Sequence, residues 1–331
     1  MANTLKRLTT LAAASVLAMS LPSHAEQMNV TLAGASPGGL WTLLGAGLES
    51  ALKAGEEGSS VTYQTSGGGF ANAMLVSTAR AELGLIHDAE LKIAVAGGEP
   101  FKAPIENLRT IGYLYDWAPM QFIASNAWAE ENNIRSLSDI AANKTPVSIT
   151  INRAGNITGE LAAAMLNAAG ASPENIESWG GSVIRAGSKE QADLITNGRV
   201  DVFANGVFVG HSSIRQIENA LDMRLIDVPE DVRNSVGEDF SIAAFTIPAN
   251  TYENQPEDIQ TLALGAVLIV SADMSDEQAY TLTKAMIDNI DAIRSVHPAM
   301  KALSTDLMTR ETAAPHHPGA LKAYREAGLI K

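Results

Sequence analysis

Three short stretches of this chain combine glycine with hydroxyl or amide side chains: Gly34-Ala35-Ser36-Pro37-Gly38-Gly39, Ser66-Gly67-Gly68-Gly69 and Arg153-Ala154-Gly155-Asn156-Ile157-Thr158. Each sits where the carboxyl end of an expected strand feeds a segment of helical spacing. That placement suits anion binding. The first N–H groups of a helix lack partners, and the helix dipole favours negative charge there. Glycine lets a ligand approach the backbone, and Ser36, Ser66 and Thr158 add hydroxyl donors. In open α/β sheets ligands sit beyond the carboxyl ends of the strands. The backbone and hydroxyls around Ser36, Gly38, Ser66, Gly68, Asn156 and Thr158 are therefore expected to hold an anion, with Arg153 pairing one carboxylate. Trp41, Phe70, Tyr113 and Tyr115 are expected to wall the site, and His87 and Asn205, each at a strand's end, to supply further hydrogen bonds. Plain helix capping accounts equally well for any one of these turns alone. No turn carries the Gly-Lys-Ser/Thr of a P-loop or the spacing of a dinucleotide site.

Catalytic chemistry has little to build on. There is no cysteine, so thiol nucleophiles, disulfides, iron–sulfur clusters and Cys-ligated zinc are excluded. Beyond residue 25 the histidines are His87, His211, His297, His316 and His317, and none has metal-ligand spacing. His316 and His317 are expected as a surface pair, and His297, before Pro298, at a helix end. His87-Asp88 follows a strand and has the form of an acid–base pair, but a polar contact to a ligand is the stronger reading. No Gly-x-Ser-x-Gly elbow occurs. The expectation is a protein with no catalytic residue, no metal and no cofactor.

The elements that must position these residues alternate. Asn29–Ala33, Ser60–Gln64 and Leu83–Ile86 read as strands, and Trp41–Lys53 and Phe70–Arg80 as helices between them. The pattern returns with strands at Val147–Ile151 and Val200–Ala204, helices at Thr158–Ala169, Lys189–Asn197 and Val209–Ala220, and an extended Arg224–Val228. Two α/β units follow, around 28–115 and 145–230. The link Tyr113–Trp128 is aromatic and apolar, unlike a flexible linker, and is expected to pass as a strand from one unit to the other. Thr261–Ala272 reads as a buried strand, Asp276–Ser295 as one long helix, and Pro318–Ala327 as a shorter one stopped by Gly328.

Composition sets the outer limits. The chain has 331 residues, 46% hydrophobic and 18% charged, with 23 Lys plus Arg against 37 Asp plus Glu and a net charge of −14. It can bury a core, and its charge argues against binding nucleic acid or anionic lipid. Lys6-Arg7, the apolar run Leu11–Leu21 and Ser23-His24-Ala25 form a secretory signal peptide over residues 1–25, which implies export to the periplasm. The run is too short to span a bilayer, and no other stretch reaches about 18 apolar residues.

Several segments in order carry a family resemblance. Gly39-Leu40-Trp41-Thr42-Leu43-Leu44-Gly45 is similar to Gly-Val-Tyr-Tyr-Pro-Leu-Gly, and Ser66-Gly67-Gly68-Gly69-Phe70-Ala71-Asn72 to Thr-Gly-Gly-Ser-Val-Glu-Asn. Ala81–Ile86, Thr246–Tyr252, Val270–Asp273 and His317–Ala320 match as well. Together they resemble the TAXI-type solute receptors of tripartite ATP-independent periplasmic (TRAP) transporters over nearly the whole chain after the signal peptide. The resemblance implies an α/β, two-lobe periplasmic-binding fold of type II, each lobe a sheet flanked by helices, with the ligand in the interlobe cleft. Lobe 1 is expected over 26–118 and 268–331 and lobe 2 over 119–267. It implies no chemistry, a small carboxylate such as glutamate, glutamine or 2-oxoglutarate as ligand, a monomeric receptor, and integral-membrane TRAP permease subunits as partners. A sensor-kinase subunit, or an enzyme on the same fold, is the alternative. The chain departs from the family pattern at His87-Asp88-Ala89, where Gln-Ser-Asp is usual, at Gly155–Thr158, where Gly-Ser-Gly-Thr is usual, and at Trp41, where a tyrosine stands.

Overall fold

Ten strands among the described residues form one continuous sheet, and one long strand joins its halves. The computed structural model describes residues 27–35, 37 and 39–331. The expected signal peptide over 1–25, and the binding roles expected of Ser36 and Gly38, lie outside the described residues. In chain order the strands are β1 (Asn29–Ala33), β2 (Ser60–Gln64), β3 (Leu83–His87), β4 (Leu108–Ser125), β5 (Ser148–Ile151), β6 (Ser182–Arg185), β7 (Val202–Gly206), β8 (Met223–Leu225), β9 (Ala243–Ile247) and β10 (Ile259–Ser271). The first half runs β2-β1-β3-β10-β4 and the second β4-β7-β5-β6, with β8 on β4 and β9 on β10.

Parallel neighbours need helical crossovers, and the sequence supplies them. Helix Leu40–Gly55 joins β1 to β2, and helix Gly69–Ser77 joins β2 to β3. Helices Ile157–Ala168 and Ser188–Thr196 do the same around β5, β6 and β7. Strands covered on both faces read as unbroken apolar runs. Accordingly Leu83, Leu85 and Ile86 on β3, and Leu262 to Leu264 and Ala266 to Val270 on β10, are all buried.

β4 has 18 residues and changes partner along its length. Leu108 to Pro119 pair with β10, and Met120 to Ala124 pair with β7. The directions matter. β3 and β4 each run antiparallel to β10, and β7 runs antiparallel to β4. β3 therefore ends at His87, level with Ala266 and Tyr115, while β7 runs the opposite way and ends at Gly206, level with Met120. The carboxyl ends of the two sets of strands point at each other across residues 116–119 of β4. β1 and β2 share the direction of β3, and β5 that of β7.

Several local expectations change. The helix expected over Asp276–Ser295 is two, Asp276–Asp288 and Ile290–Arg294. They break at Asn289, whose Nδ2 donates to Ala51 O on the neighbouring helix at 3.3 Å and to Ala285 O at 3.1 Å. The helix expected from Val209 starts at Ser212, because His211 caps it by accepting the Ser213 N–H at 3.2 Å. Trp128 lies in helix Asn126–Glu131 beyond the end of β4. His317, expected on the surface, is 1% exposed. It caps helix Pro318–Glu326, accepting the Gly319 N–H through Nδ1, while Nε2 lies 3.0 Å from Met274 O.

Candidate functional site

The second lobe presents a closed network of neutral polar groups at the ends of β5 and β7. Asn205 is fully buried; its Nδ2 donates to Ser188 Oγ at 2.9 Å and to Gln191 Oε1 at 2.8 Å. Its Oδ1 accepts from Asn152 Nδ2 at 3.3 Å and lies 2.8 Å from Thr158 Oγ1. Thr158 in turn accepts from Asn152 Nδ2 at 3.1 Å. Asn156 caps helix Ile157–Ala168, its Oδ1 accepting the Thr158 N–H at 3.0 Å. Three of the expected residues, Asn156, Thr158 and Asn205, thus belong to one network. Arg153 stands at its mouth with a side chain 71% exposed, 3.7 Å from Glu190. Sequence reasoning missed Asn152, Ser188 and Gln191. A polar residue directly after the apolar strand β5 was the available signal for Asn152; the other two sit on a helix with no distinguishing spacing.

The first lobe is built differently, from aromatic rings and ionisable groups. Trp41, on the first turn of helix Leu40–Gly55, donates from Nε1 to the Tyr115 hydroxyl at 3.0 Å. Its ring lies 5.0 Å from that of His87, and His87 lies 6.5 Å from Tyr115, which in turn lies 6.2 Å from Trp117. His87 and Asp88 begin helix Asp88–Ala96 directly after β3. They do not address each other. His87 Nδ1 is 2.9 Å from Gly265 O, and Asp88 Oδ2 accepts the Gly265 N–H at 3.0 Å. The β4–β10 register shifts between Leu264 and Ala266, so Gly265 sits at a bulge, and two consecutive side chains take both of its backbone polar groups. A side chain there would force its neighbours to shift: a Cβ on Gly265 would lie 2.7 Å from Asp88 Oδ2 and from the Tyr113 ring.

Burial shifts the ionisable groups. It lowers His87 to about 4, against a raising contribution from the Gly265 carbonyl. It raises Asp88 to about 7 despite the N–H groups of Ala89 and Gly265 and the charge of Arg310. It also raises Glu90 to about 7. Glu90 is 4% exposed and accepts the His87 N–H at 3.1 Å and the Phe70 N–H. Its carboxylate packs so closely on Gly69 that a Cβ there would lie 1.8 Å from Oε2. The start of helix Gly69–Ser77 therefore already holds a carboxyl group belonging to the protein. The Ser66 hydroxyl is also engaged, 2.6 Å from Gly34 O and accepting the Gly68 N–H at 3.0 Å. The buried amide of Asn72 ties that turn together by donating to Gly34 O and Leu85 O. Burial raises Tyr113 to about 12, and the Arg310 guanidinium lies 4.4 Å over its ring while pairing with Asp116 at 2.8 Å. Phe70 meets Phe101 at 5.7 Å, and both line a cavity of about 830 Å³ together with Met74, Pro104 and Ile105.

Further contacts run between the segments expected as the two lobes. Lys92 Nζ donates to Glu238 O at 2.8 Å and to Asp239 O at 3.1 Å, at the carboxyl end of helix Glu230–Phe240 where a cation is favoured. Phe208, following β7, touches His211 at 5.3 Å and His297 at 4.8 Å.

Two sets of strand ends facing each other across the shared strand β4 define the two-lobe fold of periplasmic binding proteins. Solved structures of that class superpose over almost the whole chain. They include a TctC solute binding protein from Polaromonas (TM-score 0.53, 14% identity, 92% of this chain and 96% of that one). MatC from Rhodopseudomonas palustris with bound malate gives 0.52 and 12%, covering 92% and 96%. PhnD1 from Prochlorococcus marinus in complex with methylphosphonate gives 0.54 and 11%, covering 91% and 99%. Residues 32–328 match the NMT1-like family, and the chain belongs to it.

Proposed function

We propose that this chain is an exported solute receptor of the TAXI type, which binds one small carboxylate between its lobes and delivers it to the membrane subunits of a TRAP transporter. The opposed carboxyl ends of β3 and β7 carry this reading. They turn the glycine-rich starts of the first lobe toward the amide network of the second, across four residues of β4. Such a cleft favours a ligand held by both lobes, which selects a closed state. The proposed lobes are 26–118 with 268–331, and 119–267. β4 changes partner between Pro119 and Met120, in keeping with that division. The signal-peptide pattern of residues 1–25 supports export.

The ligand is proposed to be an anion, such as glutamate, glutamine or 2-oxoglutarate in carboxylate form, with Arg153 turning from Glu190 to pair it. The malate in MatC and the methylphosphonate in PhnD1 are anions held by the same fold. Binding without turnover fits His87 and Asp88, whose polar atoms clasp a backbone bulge rather than each other. The test is native mass spectrometry of the mature protein after incubation with these acids. One ligand per chain, released unchanged, is expected; accumulation of a converted product would refute the receptor role.

A further inference from the structure

Lys92 stands half-buried on helix Asp88–Ala96, and its ammonium reaches Glu238, 146 residues further along the chain. The last carbonyls of a helix have no intrahelical N–H. At the end of helix Glu230–Phe240 the chain turns through Ser241 at φ 55°, and the backbone meets part of that need. The Ile242 N–H donates to Gly237 O at 3.1 Å and the Ser241 N–H to Glu238 O at 3.4 Å. Lys92 Nζ meets more of it, donating to Glu238 O at 2.8 Å and to Asp239 O at 3.1 Å. An ammonium carries three donors and a full charge, which the negative end of the helix dipole favours. Both bonds go to the backbone, and Glu238 and Asp239 are themselves exposed residues. A helix in the segment expected as lobe 2 is thus capped by a side chain from the segment expected as lobe 1.

Each of the two helices leads to one side of the cleft. That of Lys92 starts at Asp88, directly after β3, and Asp88 Oδ2 holds the Gly265 N–H at 3.0 Å. Helix Glu230–Phe240 packs on helix Ile157–Ala168, whose first turn carries Thr158 of the amide network. Resting on the receptor reading above, we infer that Lys92 is a latch between the lobes. Its bonds to the end of helix Glu230–Phe240 form as the lobes close, favour the closed arrangement before a ligand arrives, and so raise affinity from outside the site. A receptor whose competent state is only a fraction of the whole binds more weakly by that fraction. Any bond made only in the closed state therefore tightens binding without touching the ligand.

The chain has no cysteine, so Glu57→Cys and Glu177→Cys, at exposed positions on either side of the proposed division, take one spin label each. Distances between the labels are measured by pulsed electron resonance in the mature, ligand-free protein. Lys92→Met keeps the alkyl stem and removes the charge and the donors. It is expected to move the population towards longer distances, raising the ratio of open to closed by about three- to tenfold. Calorimetry with glutamate, glutamine and 2-oxoglutarate should show a loss of affinity, up to that factor, for whichever of them wild type binds. Lys92→Arg, which keeps a charged donor, should restore both. A bond that persists at every lobe angle would instead lower the urea midpoint of Lys92→Met and move neither readout. Unchanged distances would thus overturn the latch and leave the receptor reading standing. Failure of all three acids to bind wild type would overturn the receptor reading, and the ligand-free distances would still judge the latch. Should Lys92→Met not fold, Lys92→Gln, a neutral donor, takes its place with the same outcomes.

Discussion

The two sides of the cleft solve the same problem with different chemistry. In the second lobe Asn152, Thr158, Ser188, Gln191 and Asn205 satisfy one another with neutral groups. Nothing in that network titrates near neutrality, so its geometry is insensitive to pH. In the first lobe the corresponding strand ends carry His87, Asp88 and Glu90, all displaced by burial, among Trp41, Tyr113 and Tyr115. A rigid amide platform therefore faces a wall whose protonation depends on conditions. Stability should live mainly in the first kind of network, and pH dependence and ligand discrimination in the second.

The largest effect is expected where the neutral network is cut. Asn205→Leu removes two donors and an acceptor from a fully buried position and strands Gln191, Ser188 and Thr158. Urea denaturation should show a loss of about 3 kcal/mol or more. A loss below about 1 kcal/mol would mean that the network relaxes and is not a platform.

Gly265→Ala attacks the other side. A methyl group there meets Asp88 and the Tyr113 ring, and the bulge must move, at a cost of about 2 kcal/mol. Denaturant melts that leave the variant at wild-type stability would show that the clasp is loose.

The pH profiles separate the lobes further. Glu90 is raised in the fold, so its contribution is present below its unfolded value and is lost as pH rises towards about 7. Glu90→Gln should thus gain on wild type between about pH 4.5 and 7, by up to about 3 kcal/mol. His87 is lowered, so its contribution is complete above about pH 6.5 and is lost as pH falls towards about 4. His87→Phe should therefore recover relative to wild type over that acidic window, by up to about 3 kcal/mol. Variants that run parallel to wild type from pH 4 to 8 would remove the titrating wall from the account. No such divergence is expected for Thr158→Val in the second lobe.

The smallest effect on stability is expected from Arg153→Ala. Its side chain is 71% exposed and faces an exposed Glu190, so unfolding should change by less than about 0.5 kcal/mol. Carboxylate affinity should nevertheless fall by about 10- to 150-fold if Arg153 holds the ligand.

How much of this the sequence reveals depends on whether a feature is local. β1 and β2 are readable to the residue, because glycine punctuates both and each is short and alternates polar with apolar residues. β4 reads as a crossing strand because Tyr113 to Phe122 is too apolar for a linker, although Trp128 turns out to be helical. The glycine-rich turns are also local, and they follow strands whose carboxyl ends the topology turns toward each other. What fills them is not local. Glu90 at the start of helix Gly69–Ser77 comes from the next helix along the chain. Gly265 lies within a run of apolar residues that reads as an unbroken strand; its bulge appears only once β10 is laid against β4. His87-Asp88 shows how spacing misleads. The sequence offers an acid beside a base, but both reach 177 or more residues along the chain to the same peptide unit.

The central claim is that the opposed strand ends hold one small carboxylate in a closing cleft. Isothermal titration of the mature chain with malate, glutamate, glutamine and 2-oxoglutarate at pH 7.5 tests it most directly. The account predicts saturable binding of at least one of them at one ligand per chain, weakened at least about tenfold in Arg153→Ala. Absence of binding by all four, in protein that unfolds cooperatively, would contradict it.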